Sequence, residues 1–496
     1  MALEKTNLLR LWENTFRMGS RDLLIEIMKE KPREEQVKAF EARTLSDYES
    51  KWREFLLQGQ IYISKLLKAE NLSILIGAGP SIPLGAITIR NIPLRLEFQI
   101  AQGLPENSQE IILFYDIMEY YRKEKPFSQI NIKDRIKNIK TTLEGKDELK
   151  VKEQEVRIPL EDYLSYLYCL KSTLISTSKA GEASDNLLIL KNGKREVNVK
   201  QDILENLIDE IKKQYFYLLK GVPEPTLEKP LAIHKQFLKK ILTRPLNLRR
   251  PKVFTTNNDL IIENAMDELG IMYLDGFIGT AMRAFRPESY NYDFYFPSTT
   301  TEGKVHRVDQ VIHYYKIHGS INWVRSYDHP GNIYGIETRH VETIEKEGKY
   351  GDVMIYPTPL KTEHTLDFPY SDLFRRFADA ITQPQSVLIT LGYSFGDEHV
   401  NRIIYQALTV PSFTLLIVDP AGYKNAEIKR LMDLEDSRIY ILSGPQLGTF
   451  EQFTKLLLPD IKELEVREKS VQSARQMLGI KEKDGEIPRL EDSEEL

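Results

Sequence analysis

Four short polar clusters in this chain carry residue types that do chemistry. Gly77-Ala78-Gly79-Pro80-Ser81 offers backbone amides and a hydroxyl, and Thr255-Thr256-Asn257-Asn258-Asp259 offers amides and a carboxylate. Lys316-Ile317-His318-Gly319-Ser320 offers an imidazole, and Leu391-Gly392-Tyr393-Ser394-Phe395 offers a second glycine and a hydroxyl. Glycines let a backbone turn sharply and approach a ligand closely, and a helix that follows points free N–H groups at a phosphate. Imidazole titrates near neutral pH without special tuning, so His318 is a candidate general base. Together the set suits a dinucleotide and a reaction on it.

Each cluster also has a plainer reading. Gly77 to Gly85 works equally as a tight strand-to-helix turn without ligand. Ile82 stands where the third glycine of G-x-G-x-x-G belongs, and no Gly-Lys-Ser/Thr phosphate loop follows. Thr, Asn and Asp are all favoured helix caps ahead of Leu260-Ile261-Ile262-Glu263, although five consecutive polar residues exceed what one cap needs. A lone histidine such as His318 is commonly a satisfied core residue; its place at a strand end before glycine points instead to a cleft.

Each cluster lies at the C-terminal end of a short apolar run that reads as a buried strand. In an open parallel sheet those ends meet at one edge, where ligands bind. Strand candidates are Leu72 to Ile76, Val253 to Thr255, His313 to Ile317, Val353 to Tyr356, Val387 to Leu391, Phe413 to Val418 and Ile439 to Leu442. Helix-like segments such as Leu260 to Leu269 and Tyr370 to Ala380 lie between them. Strand–helix alternation predicts an α/β fold. The expected form is a doubly wound parallel, Rossmann-like sheet with a large helical insertion and a helical N-terminal extension.

The expected organisation is a helical extension over 1–70, the sheet domain over 71–100 and 231–450, and a mainly helical inserted subdomain over 101–230. Within the insertion, Thr177 to Lys200 reads as a loop or small hairpin. Residues 451–496 read as a charged, partly disordered C-terminal tail. The apolar stripes of the extension, such as Trp52, Phe55, Ile63 and Leu66, must bury somewhere. Burial against another subunit predicts a homo-oligomer.

Composition narrows the function classes. Hydrophobic residues make up 41% and charged residues 28%, as in ordinary globular proteins. A net charge of −5 gives no electrostatic footprint for nucleic acid, so direct nucleic-acid binding is not expected. No signal-peptide core and no apolar run long enough for a membrane span are present, which predicts a cytoplasmic location with no membrane contact. Cys169 is the single cysteine, so neither an intrachain disulfide nor a four-cysteine zinc site can form, and no metal is expected.

Taken in order, the clusters resemble the sirtuin superfamily, specifically its bacterial sirtuin-like NAD-consuming branch. Gly77 through Gly85 to Arg90 is similar in spacing to the sirtuin cofactor loop. Thr256-Asn257-Asn258-Asp259 resembles the Gln-Asn-Ile-Asp turn, and Ile317-His318-Gly319 the catalytic His-Gly turn. Gly392-Tyr393-Ser394-Phe395 is similar to the Gly-Thr-Ser-Leu segment, and Val418-Asp419 to the strand end near the adenine ribose.

The resemblance implies roles. Gly77, Ala78, Gly79 and Ser81 would hold the pyrophosphate, with Arg90 nearby. Asn257 would hold the nicotinamide ribose and position the attacking water. Asp259 would bond the carboxamide, and His318 would act on the ribose hydroxyls or on water. Ser394 and Asp419 would bind the phosphate and adenine-ribose side, and Thr256 and Gly392 complete the cofactor-binding set. Two departures bear on the acceptor: Ile87, Thr88 and Ile89 replace the Pro, Asp and Phe usual in protein deacylases, and the zinc ribbon is missing. Water is then the expected acceptor, and the implied activity is an NAD glycohydrolase (NADase) releasing nicotinamide and ADP-ribose. Its implied setting is antiphage defence by NAD depletion in a regulated complex, with a HerA-like hexameric ATPase or an Argonaute-type nuclease as partner. Open beside it stand a protein deacylase or ADP-ribosyltransferase, an NAD or ADP-ribose sensor, and a structural subunit of a defence complex.

Overall fold

The computed structural model describes residues 9–29, 42–86, 92–105, 108–122, 160–179, 187–192, 195–222, 228, 230–297, 305–351, 353–354 and 368–477. Nine strands form its central sheet. In chain order they are β1 (Thr15–Met18), β2 (Arg21–Asp22), β3 (Asn71–Ile76), β4 (Lys252–Thr255), β5 (Met272–Leu274), β6 (Val311–Lys316), β7 (Ser386–Leu391), β8 (Thr414–Asp419) and β9 (Ile439–Ser443). Across the sheet they lie in the order β2-β1-β9-β8-β7-β3-β4-β6-β5. The seven from β3 to β9 run parallel, and β1 closes the edge antiparallel to β9.

The strands form where the sequence supplies unbroken apolar runs, because helices cover both faces and every inner position is dry. Alternate residues of one strand enter opposite layers. Ile74 and Ile76 belong to one core and Leu75 to the other; Leu416 and Val418 face the first, Leu415 and Ile417 the second. The first layer contains α1 (Ala42–Leu67), α6 (Ala232–Ile241) and α7 (Ile261–Leu269); the second contains α8 (Tyr370–Ile381), α9 (Glu398–Ala407) and α10 (Ala426–Asp433). A small antiparallel sheet joins the second layer through Phe277, Phe285, Trp323 and Ile336. The fold is thus a doubly wound, Rossmann-like α/β sheet.

Chain direction across the sheet reverses between β3 and β7. From β3 the chain moves one way through β4, and from β7 the other way through β8 and β9. That reversal opens a crevice at the C-terminal strand ends. The insertion builds a third core from α2 (Ile92–Gly103), α3 (Gln109–Arg122), α4 (Leu160–Lys179) and α5 (Gln201–Lys220), together with a hairpin, Leu187–Asn192 against Arg195–Lys200. This core also takes in Ile321, Val324, Ile344 and Met354, from the segment after His318.

Several expectations change. The N-terminal segment is not all helical: Thr15-Phe16-Arg17-Met18 alternates, with Phe16 and Met18 buried, and forms β1. The stripe of α1 buries Trp52, Phe55, Ile63 and Leu66 in the chain's own first core, so it needs no second subunit to cover it. Residues 451–477 are ordered elements instead of a tail, because Phe453, Leu457, Leu458 and Ile461 are buried in that core. Residues 478–496 lie outside the described residues. The expected strand at Val353 to Tyr356 reduces to one bridge, Met354 to Gly319, with 355–356 outside the described residues. Among the described residues no helix is long and apolar enough to cross a membrane.

Candidate active site

The Asn/Asp turn leaves β4 beside the end of β3. Thr255 Oγ1 donates to Ile76 O (3.0 Å) and accepts from Asn257 N (3.0 Å), and Thr256 N donates to Ile76 O (3.2 Å). These bonds fix the turn against the glycine-rich turn. Asn257 Nδ2 then donates to Gly77 O (2.8 Å) and to Ser81 Oγ (3.1 Å). Ser81 Oγ passes its own hydrogen to Asp259 Oδ2 at 3.0 Å. The other oxygen, Oδ1, accepts from Ile261 N (3.1 Å) at the start of α7. Asp259 therefore serves as a helix-end acceptor and as a site residue at once.

His318 leaves the end of β6. Gly319 adopts φ +77°, and a Cβ there would lie 2.3 Å from Val353 O, so only glycine permits this turn. Asn258 Nδ2 donates to His318 O (2.8 Å) and Gly319 O (3.2 Å), and Asn258 O accepts from Ile321 N (3.1 Å). The two turns are thereby tied to each other. His318 is buried, its Nε2 3.0 Å from Asp397 Oδ2 but off the line of a hydrogen bond, with the Phe374 ring beside it.

Charge is fixed beneath the site. The buried Lys316 ammonium donates to Asp259 O and to Glu263 Oε1, the latter at 2.7 Å, and Tyr314 OH donates to Glu263 Oε2 (3.1 Å). Burial raises the Glu263 carboxyl above its ordinary value, while the Lys316 charge pulls it down. The ammonium points into this cluster.

The glycines also let two loops meet. A Cβ on Gly77 would lie 2.5 Å from Gly392 O, and one on Gly79 2.6 Å from Gly392 Cα. Gly392, at φ +58°, meets Gly79 in return. The missing side chains let the β3 and β7 loops touch. Gly77 N donates to Leu391 O, Gly79 N to Gly392 O and Ser81 N to Ala78 O, each at 3.0 Å. A phosphate at this turn must use other groups or open these bonds.

The remaining site candidates share the sheet edge through strand register, Leu391 beside Ile76 and Val418. Ser394 is exposed, and its carbonyl accepts from Asn425 Nδ2 (2.7 Å). Asp419, at the end of β8, accepts from Ala421 N at 2.8 Å; burial raises its carboxyl, opposed by the amides of Ala421 and Gly422. Arg90 and Ile87 to Ile89 lie outside the described residues.

Three residues escaped the sequence reading. Asn258 stood in the polar cluster without a role, yet it joins the two turns. Asp397 carried only a cap signal, an acid before Glu398-His399-Val400. His234 sits on α6 at core spacing with Phe237, Leu238 and Ile241. Its Nε2 lies 3.0 Å from Pro80 O, which can only accept, so that nitrogen carries the hydrogen. Burial pushes this imidazole down to about 4, so it supports the glycine-rich turn as a neutral donor.

A cavity of about 630 Å³ lies elsewhere, between the insertion and the loop of Gly348 to Tyr350, and shares none of these residues. Its lining sets Lys212 and Lys213 against Glu110, Asp209 and Glu210. Among the described residues no three His, Cys, Asp or Glu side chains gather into a metal-binding group.

With this geometry in place, comparison with known families is informative. Residues 251–432 match the SIR2-like domain. SIR2-like domains are in general NAD-dependent enzymes, and the matched span holds Asn257, Asp259, His318, Ser394 and Asp419. The glycine-rich turn precedes it in the chain and reaches the site through β3. No curated protein matches the chain.

Proposed function

We propose that this protein is an NAD glycohydrolase, cleaving the nicotinamide–ribose bond and passing the ribosyl cation to water. The observation that carries the reading is the hydrogen-bonded chain Asn257–Ser81–Asp259. It joins loops from two strands at the crevice, with Asn258 holding His318 beside it. Gly77 O can only accept, so the Asn257 atom facing it is Nδ2. Oδ1 is thereby oriented as an acceptor for a water or a ribose hydroxyl. Asp259 supplies the acceptor for the nicotinamide amide, and His318 the base. Held polar groups of this kind stabilise charge as it develops at the sugar, without reorganising.

The lack of four cysteines supports water over an acyl-lysine acceptor. The biological reading that accompanies it is NAD depletion in antiphage defence, within a homo-oligomer or a complex with a HerA-like ATPase or an Argonaute-type nuclease. Chromatography of NAD incubated with the full chain, alone and with an acetylated peptide, tests the activity. Nicotinamide and ADP-ribose without peptide are expected. Turnover only with peptide would favour the deacylase, and NAD binding without turnover in the presence of partners would favour a sensor.

A further inference from the structure

We infer that Asp397 is a positioning residue for His318, holding its ring at the crevice and fixing its tautomer. The inference rests on the glycohydrolase reading for its catalytic meaning, and on geometry for the contact itself. Asp397 is buried, and its two oxygens do different jobs. Oδ1 accepts from His399 N (2.9 Å) and Val400 N (3.4 Å) and caps α9. Oδ2 faces His318 Nε2 at 3.0 Å. Capping accounts for the first oxygen alone, and Ser, Thr or Asn caps equally well. An anion turned toward an imidazole does what those cannot.

The loop that carries Asp397 is held firmly. Tyr393 OH bonds Asp397 O (3.1 Å) and Asn401 Oδ1 (2.9 Å), and Asn401 Nδ2 bonds Phe395 O (2.7 Å), with Phe395 at φ +56°. His318 is held from the other side by Asn258. In the sheet, β3 and β4 lie between the strands that supply the two residues. The contact therefore bridges the loops after β6 and β7.

The Asp397 oxygen lies 3.0 Å from Nε2 but off the line of a hydrogen bond. An anion that close to the nitrogen disfavours a bare lone pair there, so the hydrogen sits on Nε2 and Nδ1 is left as the base. Among the described residues, the nearby charged groups are committed elsewhere. Lys316 is turned into Glu263, and Asp259 bonds Ser81 and Ile261. Helix α8 presents Phe374 to it.

The test compares the full-length wild type with Asp397→Ser, which keeps the cap, and Asp397→Asn, which keeps size as well. Ring-labelled histidine is followed by NMR at neutral pH, the His318 signal being identified by its loss in His318→Gln. In both variants the His318 nitrogen shifts are expected to move from the Nε2–H tautomer toward a mixture of the two tautomers. Nicotinamide release should fall about tenfold or more in kcat, with KM little changed. Melting temperature should stay close to that of the wild type in at least the Asn variant. An unchanged His318 tautomer in a folded variant overturns the proposal, whatever the activity does. A wild type that releases no nicotinamide overturns the glycohydrolase reading instead, and the tautomer still decides the contact.

Discussion

The loops on the two sides of the crevice are fixed by different means. Those after β4 and β6 are held by side chains: Asn257 to Ser81, Asn258 to the His318 and Gly319 carbonyls, Lys316 beneath Asp259. Those after β3 and β7 are held to each other by main-chain contact, Gly77 and Gly79 against Gly392. A side-chain hydrogen bond can be exchanged for one to a substrate at little cost. A glycine contact is geometric and has nothing to exchange. Loss of the first kind of contact should therefore appear in rate, and crowding of the glycine contact in stability.

The largest test is His318→Ala, expected to lower nicotinamide release by roughly 10²–10⁴. Kinetics and thermal denaturation are measured together; unchanged kinetics with a lower melting temperature would return His318 to the core. Asn257→Ala should lose roughly 10²–10³ in rate, about 3–4 kcal/mol, with its fold intact by circular dichroism. Wild-type turnover in that variant would remove Asn257 from the mechanism.

Acid should act on the supports beneath the glycine-rich turn. His234 is held down at about 4 and rises to about 6.5 on unfolding, so the unfolded chain binds the extra proton. Stability from this group is complete above pH 6.5 and declines as pH falls toward 4, by a total of about 3 kcal/mol. His234→Gln keeps a donor for Pro80 O and should flatten that part of the pH–stability curve; an identical curve would mean that the acid sensitivity arises elsewhere.

On the main-chain side, Gly79→Ala should destabilise by about 1–3 kcal/mol, read by urea unfolding. Gly221→Ala is its control: its Cβ would meet nothing closer than 3.7 Å at an ordinary φ of −68°, so no loss is expected. Equal behaviour of the two would break the distinction between the sides. The smallest effect is expected for Asp419→Asn, a rise in KM of about tenfold, or ~1.4 kcal/mol, with kcat held. A matching fall in kcat would place Asp419 nearer the chemistry.

The parts of this fold that could be read from sequence are those buried on both faces. Strands β3, β4 and β6 to β9 are apolar runs, and β3, β4, β6 and β7 each end in a polar cluster. Strand β1 could not be read, because four alternating residues lie among leucines at helical spacing. Strand β5 has three residues at the sheet edge, too few to carry a pattern. Val353 to Tyr356 has a strand's composition, yet among the described residues its one bridge is Met354 to Gly319. In the site, Ser81, Asn257, Asp259 and His318 are legible as chemical types at strand ends. Asp397 is not, since its nearness to His318 depends on strand order, which no local spacing encodes. The glycines were legible as a turn but not as a loop contact, because the partner that excludes their side chains is more than 300 positions away.

Strand β1 has a consequence for how the chain is made. Thr15 pairs with Ser443, and Asn14 bonds Gln446 from 432 positions away. The parallel strand β9 has no other neighbour on that side. During synthesis the early segment must wait, unpaired, until nearly all the rest has emerged, since contacts so distant in sequence form late. Until then β9 would present an open edge, the kind that recruits a second chain. Capturing that edge with its own early segment closes this side of the sheet within the chain, and a shortened chain that begins near Ser46 would expose it.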